Sequence, residues 1–103
     1  MATISWTREA ELWLSDIYDY ISQDNPQAAA DVVNGIYQRA QLLASHPEIG
    51  HRYERAMDCN IRILLYGHYR IAYLIKYGGD IDILGVFHGA MEVSRYLFDG
   101  NRT

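Results

Sequence analysis

Residues 61–88 read IRILLYGHYRIAYLIKYGGDIDILGVFH, and this stretch decides the fold. It is rich in Ile, Leu and Tyr, which suit a pleated, half-buried surface. Two glycine-bearing pairs interrupt it, Gly67-His68 and Gly78-Gly79, and two-residue connections of that kind close tight hairpins. The spacing predicts three antiparallel strands over 61–66, 69–77 and 81–88, with Tyr66 opposite Tyr69 and Tyr77 opposite Asp80. That register puts Arg62, Leu64, Tyr66, Tyr69, Ile71, Tyr73, Ile75, Leu84, Val86 and His88 on one face. Ile61, Ile63, Leu65, Arg70, Ala72, Leu74, Lys76, Ile81, Ile83 and Phe87 take the other. Both faces are apolar enough to receive a covering layer, and the pattern does not choose between them.

Upstream the period changes to that of a helix. Thr7 is placed to cap, Glu9 and Glu11 complement the dipole of a first turn, and Ala10, Trp13, Leu14, Ile17, Tyr18 and Ile21 recur at helical spacing. Asn25-Pro26 ends this helix and opens a second, in which Ala29, Val33, Ile36, Ala40 and Leu43 repeat until His46-Pro47. A short apolar segment at 3–6 precedes the hairpin of helices, and 91–98 predicts a short C-terminal helix. The expectation is one α+β domain spanning 1–103: an N-terminal strand and helical hairpin packed on a three- to four-stranded antiparallel sheet.

Composition narrows the function. The 103 residues carry 9 Lys plus Arg against 13 Asp plus Glu, a formal charge of −4; half are hydrophobic and 21% are charged. A chain of this balance lacks the cationic surplus with which proteins grip long nucleic acid, so no direct nucleic-acid binding is expected. No apolar run approaches a membrane span, and the opening MATISWTREAEL does not read as a signal peptide. Cys59 is the single cysteine, which suits a reducing cytoplasm and leaves no disulfide framework. The four histidines show neither HxH nor HExxH spacing, so neither a metal nor another cofactor is expected.

In order along the chain stand Trp6-Thr7-x-x-Ala10-x-x-x-Leu14-x-x-Ile17-x-x-Tyr20-Ile21, Asn25-Pro26-x-Ala28-Ala29, His46-Pro47-x-x-Gly50, Ile61-Arg62, Gly67-x-Tyr69-Arg70-Ile71-x-Tyr73 and Ile83-Leu84-x-Val86-x-His88. Together they resemble the ParE branch of the ParE/RelE superfamily, toxins of type II toxin–antitoxin modules. The resemblance covers residues 3–98. It implies a cognate antitoxin encoded beside the toxin, whose C-terminal segment wraps the toxin surface as a hetero-oligomer. It implies DNA gyrase as the target of the ParE branch, and ribosome-bound mRNA as that of the RelE branch. The family is commonly basic and its antitoxin segments acidic; a charge of −4 departs from that pattern.

Charge chemistry separates the branches. Cleaving RNA through its own 2′-OH needs a group to activate the hydroxyl and cations to stabilise the developing phosphate charge. By resemblance those cations lie on the inner strands and just after the last strand. Here Leu65 stands at the first place, and His88-Gly89-Ala90-Met91-Glu92 offers no Lys or Arg before Arg95 at the second. The expected activity is therefore non-catalytic: protein binding and gyrase inhibition. Arg62, Tyr66, Tyr69, Tyr73, His88, Met91, Arg95 and Phe98 are the candidate antitoxin or target contacts, because aromatics and Arg dominate interfaces. The alternative is a ribosome-dependent endoribonuclease with a site built from Arg62, His88, Arg95 and Tyr96. A further alternative is a degenerate, non-toxic protein that still binds antitoxin.

Overall fold

The computed structural model describes residues 2–53 and 59–89. Within them the order is β1 (Ile4–Trp6), α1 (Arg8–Ser22), α2 (Pro26–Gln41), a 3-10 turn at Leu42–Ala44, β2 (His51–Arg52), β3 (Ile61–Tyr66), β4 (Tyr69–Ile75) and β5 (Ile81–His88). The strands form one sheet in the order β1-β5-β4-β3-β2. It has five strands and is mixed, since β1 runs parallel to β5 while the other pairs are antiparallel. Two very short edge strands thus extend the expected antiparallel sheet. The predicted helix over 91–98 lies outside the described residues.

The helices start where the caps require. Thr7 Oγ1 accepts the Ala10 N–H at 3.1 Å and donates to the Ile83 carbonyl at 2.7 Å, so one hydroxyl both caps α1 and ties it to β5. Asn25 Oδ1 accepts the Ala28 N–H at 3.1 Å, with Pro26 at the first position of α2.

The open question of which sheet face is covered has a clear answer. Ala10 and Leu14 of α1 and Ile36 and Ala40 of α2 are buried with Leu64, Ile71, Tyr73, Ile81, Ile83 and Val86 in the main core. A second, smaller cluster of Ile63, Ala72 and Phe87 lies on the opposite face. Trp13 packs against both and meets Phe87 edge-on, with ring centroids 5.0 Å apart.

Ile81 and Ile83 therefore lie on the helical side, and Leu84 does not, opposite to the expected faces. Tyr66↔Tyr69 pairs as predicted, but Ile75 opposes Ile81 instead of Asp82. The second hairpin closes with a three-residue loop: Lys76 N–H donates to Asp80 O (2.7 Å) and Gly79 N–H to Lys76 O (2.8 Å). Gly78 and Gly79 sit at φ +104° and +100°, where side chains other than glycine's are strained. The one-residue offset is absorbed by a bulge: Tyr73 pairs with Ile83 and Ala72 with Gly85, leaving Leu84 as the extra residue. A bulge reverses the alternation beyond it, which is why both Ile83 and Val86 reach the core.

Candidate functional site

The candidate residues separate into two groups at opposite ends of the sheet. At one end Arg62 of β3 faces Tyr73 of β4 in the ladder. Tyr73 is fully buried; its hydroxyl donates to Pro47 O (2.7 Å) and accepts the Gly50 N–H (3.0 Å). Burial raises its pKa above the ordinary phenol value, although the Gly50 hydrogen bond and the Arg62 charge oppose the rise. Arg62 Nη1 donates to Gly50 O (2.8 Å) and Glu48 O (3.3 Å). Both side chains thus hold the 46–50 loop. Tyr73 presents no surface to a partner, which removes it from the expected contact set, and Arg62 serves as a loop anchor.

At the other end Tyr66, Tyr69 and His88 form a row across three strands, through the pairs Tyr66↔Tyr69 and Tyr69↔His88. Tyr66 packs so closely on α2 that a Cβ at Gly35 would overlap its hydroxyl, and the Arg39 guanidinium lies 5.8 Å from its ring centroid. Tyr69 meets the His88 imidazole edge-on at 6.0 Å, and His68 stacks on His88 at 6.4 Å. Burial first, and then the nearby Tyr20 phenol, push the Tyr69 pKa up.

Tyr69 and Tyr73 stand four positions apart on β4, which separates the two groups by roughly 13 Å at the usual rise per residue. Arg62 and His88 consequently do not converge on one site, which corrects the pairing on which the alternative ribonuclease set relied. Met91, Arg95, Tyr96 and Phe98 lie outside the described residues.

Beside the Tyr69–His88 row runs a groove of about 460 Å³ between α1 and the sheet. Trp13, Asp16, Ile17 and Tyr20 of α1 form one wall, and Tyr69, Val86 and His88 the other. Tyr20 is 77% exposed. The α1 wall was missed as a site because its apolar residues obey the same helical spacing as core residues. The available signal was Tyr20, an aromatic one position away from the buried stripe and outside it.

A shallower cleft on the far side of His88 is lined by His68, Arg70 and Leu65 among others, and Arg70 Nη2 donates to Gly89 O at 2.8 Å. Of the other described cations, Arg52 stands opposite Arg62 in the β2–β3 ladder, and the rest lie apart from them. Lys76 pairs with Asp82 at 3.2 Å near the hairpin turn, Arg39 covers Tyr66, and Arg62 holds its loop. No described helix is long and apolar enough to cross a membrane.

Residues 4–93 match the model of a family described as "ParE toxin of type II toxin-antitoxin system, parDE". The chain is 38% identical over 94 residues to a Sinorhizobium fredii (strain NBRC 101917 / NGR234) protein named "Putative toxin Y4kP", an alignment covering 91% of this chain and 95% of that protein. Its fold is similar to the solved structure described as "Chromosomal ParDE TA system from P. aeruginosa", with a TM-score of 0.71, 24% identity, and coverage of 85% of this chain and 96% of that one.

Proposed function

The chain belongs to the ParE toxin family of type II toxin–antitoxin systems, and from that premise we propose that it acts by binding proteins, inhibiting DNA gyrase until a cognate antitoxin neutralises it. The observation that carries this reading is the open groove between α1 and the sheet, walled by Trp13, Ile17, Tyr20 and Tyr69. Grooves of that composition accept the apolar face of a partner segment, and aromatic anchors supply most of the affinity in such interfaces. The antitoxin contacts are Tyr66, Tyr69 and His88 together with the α1 wall, in a hetero-complex burying more than about 1,000 Å². Met91, Arg95 and Phe98 remain proposed contacts from the sequence. Both partners place the protein in the cytoplasm.

A non-catalytic mechanism fits the small share of the described positive charge that reaches His88. Among the described residues, Arg39, Arg62 and Lys76 engage groups far apart from one another, and the cleft beside His88 receives one guanidinium, that of Arg70. Phosphodiester scission at neutral pH wants several donors aimed at one developing charge.

Supercoiling by purified gyrase tests the proposal. Inhibition, or accumulation of gyrase-cleaved DNA, at micromolar protein is the expected result, relieved by the product of the adjacent antitoxin gene. Undisturbed supercoiling, with codon-positioned cuts in translated mRNA instead, would replace it with the ribonuclease reading.

A further inference from the structure

Two arginines stand side by side where the sheet ends. β2 is the edge strand, and its Arg52 pairs with Arg62 of β3. The Tyr53 N–H donates to the Ile61 carbonyl (2.8 Å), which makes the adjacent 52–62 pair one without backbone hydrogen bonds between its members. Side chains lie closest in such pairs, whose Cα atoms are about 4.5 Å apart. Like charges placed directly opposite destabilise a ladder, and an anion shared between them removes the penalty. Arg52 is exposed and makes no hydrogen bond or ion pair with any described residue. Arg62 uses one amino group, Nη1, on the Gly50 and Glu48 carbonyls, and its Nε is buried without an acceptor. Nε and Nη2 form the edge with which a guanidinium grips a carboxylate through two parallel hydrogen bonds, and among the described residues nothing engages that edge.

We propose that Arg52 and Arg62 form a carboxylate-binding site that holds an Asp or Glu of an acidic protein segment. The proposal rests on reading the chain as one that acts by binding proteins, and it adds where the partner's charge is received, at the end of the sheet away from the α1 groove. Three observations favour a peptide carboxylate. The backbone N–H and C=O of Arg52 face away from β3 towards the open edge and bond no described residue, so a partner chain meets backbone groups beside the guanidinium. The loop that Arg62 holds borders a depression lined by His46, Pro47, Glu48 and Ile49, with Ile49 half exposed, and apolar side chains beside a cation pair suit an amphipathic acidic segment. Nucleic acid fits less well, because its phosphates would approach a chain of net charge −4. The Glu48 carboxylate lies close enough to act on Tyr73 but makes no ion pair with either arginine, so the two guanidinium charges outnumber it.

Calorimetric titration of the full chain with the purified product of the adjacent antitoxin gene tests this. Arg52→Gln is expected to weaken binding about tenfold, as close charge pairs at interfaces do, and to flatten its salt dependence. Lys76→Gln makes the same charge change at the far hairpin, where Lys76 pairs with Asp82, and should alter affinity by less than about twofold. Arg62→Lys keeps the charge, loses the two-pronged edge and should also weaken binding, while circular dichroism shows every variant folded. A double-mutant cycle against single Asp→Asn and Glu→Gln changes in the antitoxin's C-terminal half should find one carboxylate whose removal makes Arg52→Gln neutral. Unchanged affinity in Arg52→Gln would overturn the site and leave the protein-binding reading standing. Equal losses from Arg52→Gln and Lys76→Gln would overturn it in favour of diffuse attraction. Failure of the antitoxin to bind the unsubstituted chain would remove the partner reading and the site together. A lower melting midpoint in Arg52→Gln with binding intact would give the guanidinium to the chain's own Glu54 or Asp58. Retention of a labelled RNA oligonucleotide that Arg52→Gln abolishes would give the site to phosphate, and either result overturns the proposal.

Discussion

Arg62 and Tyr73 face each other across β3 and β4 and grip the same loop: Gly50 donates its N–H to the Tyr73 hydroxyl while its carbonyl accepts from the Arg62 guanidinium. One residue of the loop is thus held at both of its backbone polar groups by the sheet beneath it. The Tyr73 hydroxyl is buried, so its hydrogen bonds cannot be exchanged for water at no loss.

Tyr73→Phe should destabilise the fold by about 1–3 kcal/mol, because the Gly50 N–H and Pro47 carbonyl both lose their buried partner. Urea unfolding should show a lower midpoint with an unchanged slope. A loss below about 0.5 kcal/mol would mean that the clamp adds little.

The contact between Gly35 and Tyr66 predicts a change of sign. Alanine is the better helix former by about 1 kcal/mol, yet Gly35→Ala should destabilise by about 1–3 kcal/mol because its Cβ meets the Tyr66 ring. In a Tyr66→Ala background the same substitution should be neutral or stabilising. A double-mutant cycle without coupling would show that the two side chains do not need this approach.

The bulge predicts unequal costs for neighbouring residues. Ile83→Ala removes a fully buried side chain from the main core and should cost about 2–5 kcal/mol. Leu84→Ala, at the extra residue beside the smaller cluster, should cost about 1 kcal/mol. An unbulged strand would reverse the order, so chemical denaturation of the two variants reads the register directly.

Tyr37 gives a pH dependence with a definite sign. Burial raises its pKa most, followed by the hydrogen bond it donates to Glu11 and the charge of that carboxylate, together bringing it to about 12 from 10.0. The folded state holds the phenolic proton more tightly than the unfolded chain does. This contribution to stability is therefore complete below pH 10 and is lost as pH rises from 10 towards 12. Absorbance titration at alkaline pH should find one tyrosine ionising near 12, and Glu11→Gln should move it back towards 10. Tyr37→Phe should remove the corresponding part of the alkaline slope in stability.

Much of this molecule was legible in the chain. The two helices, their Thr7 and Asn25 caps, the break at Pro47 and the first strand hairpin all depend on neighbours a few residues apart, where caps, proline and period act locally. The second hairpin was not, because Gly78-Gly79 suits a two-residue turn as well as the three-residue loop that forms. Choosing between them requires burying Ile81 and Ile83 under the helices. At the candidate site, Tyr66 met Tyr69 through the first hairpin, and His88 met Tyr69 because the bulge restores the expected β4–β5 register beyond it, whereas Arg62 and Tyr73 were drawn to a loop that sequence spacing does not locate. The α1 wall went unnoticed for a related reason: a helical stripe looks the same in sequence whether another element covers all of it or leaves one margin open.

Sequence alone determined the element types and the family, since composition, periodicity and motif order are properties of the chain itself. The tertiary structure decided which sheet face the helices cover, where the bulge falls, and that Tyr20 stands at an open groove while Tyr73 lies closed beneath a loop. Those outcomes depend on contacts between residues distant in the chain, and the free energy that settles them, burial of one apolar face in preference to the other, exists only once the layers have packed.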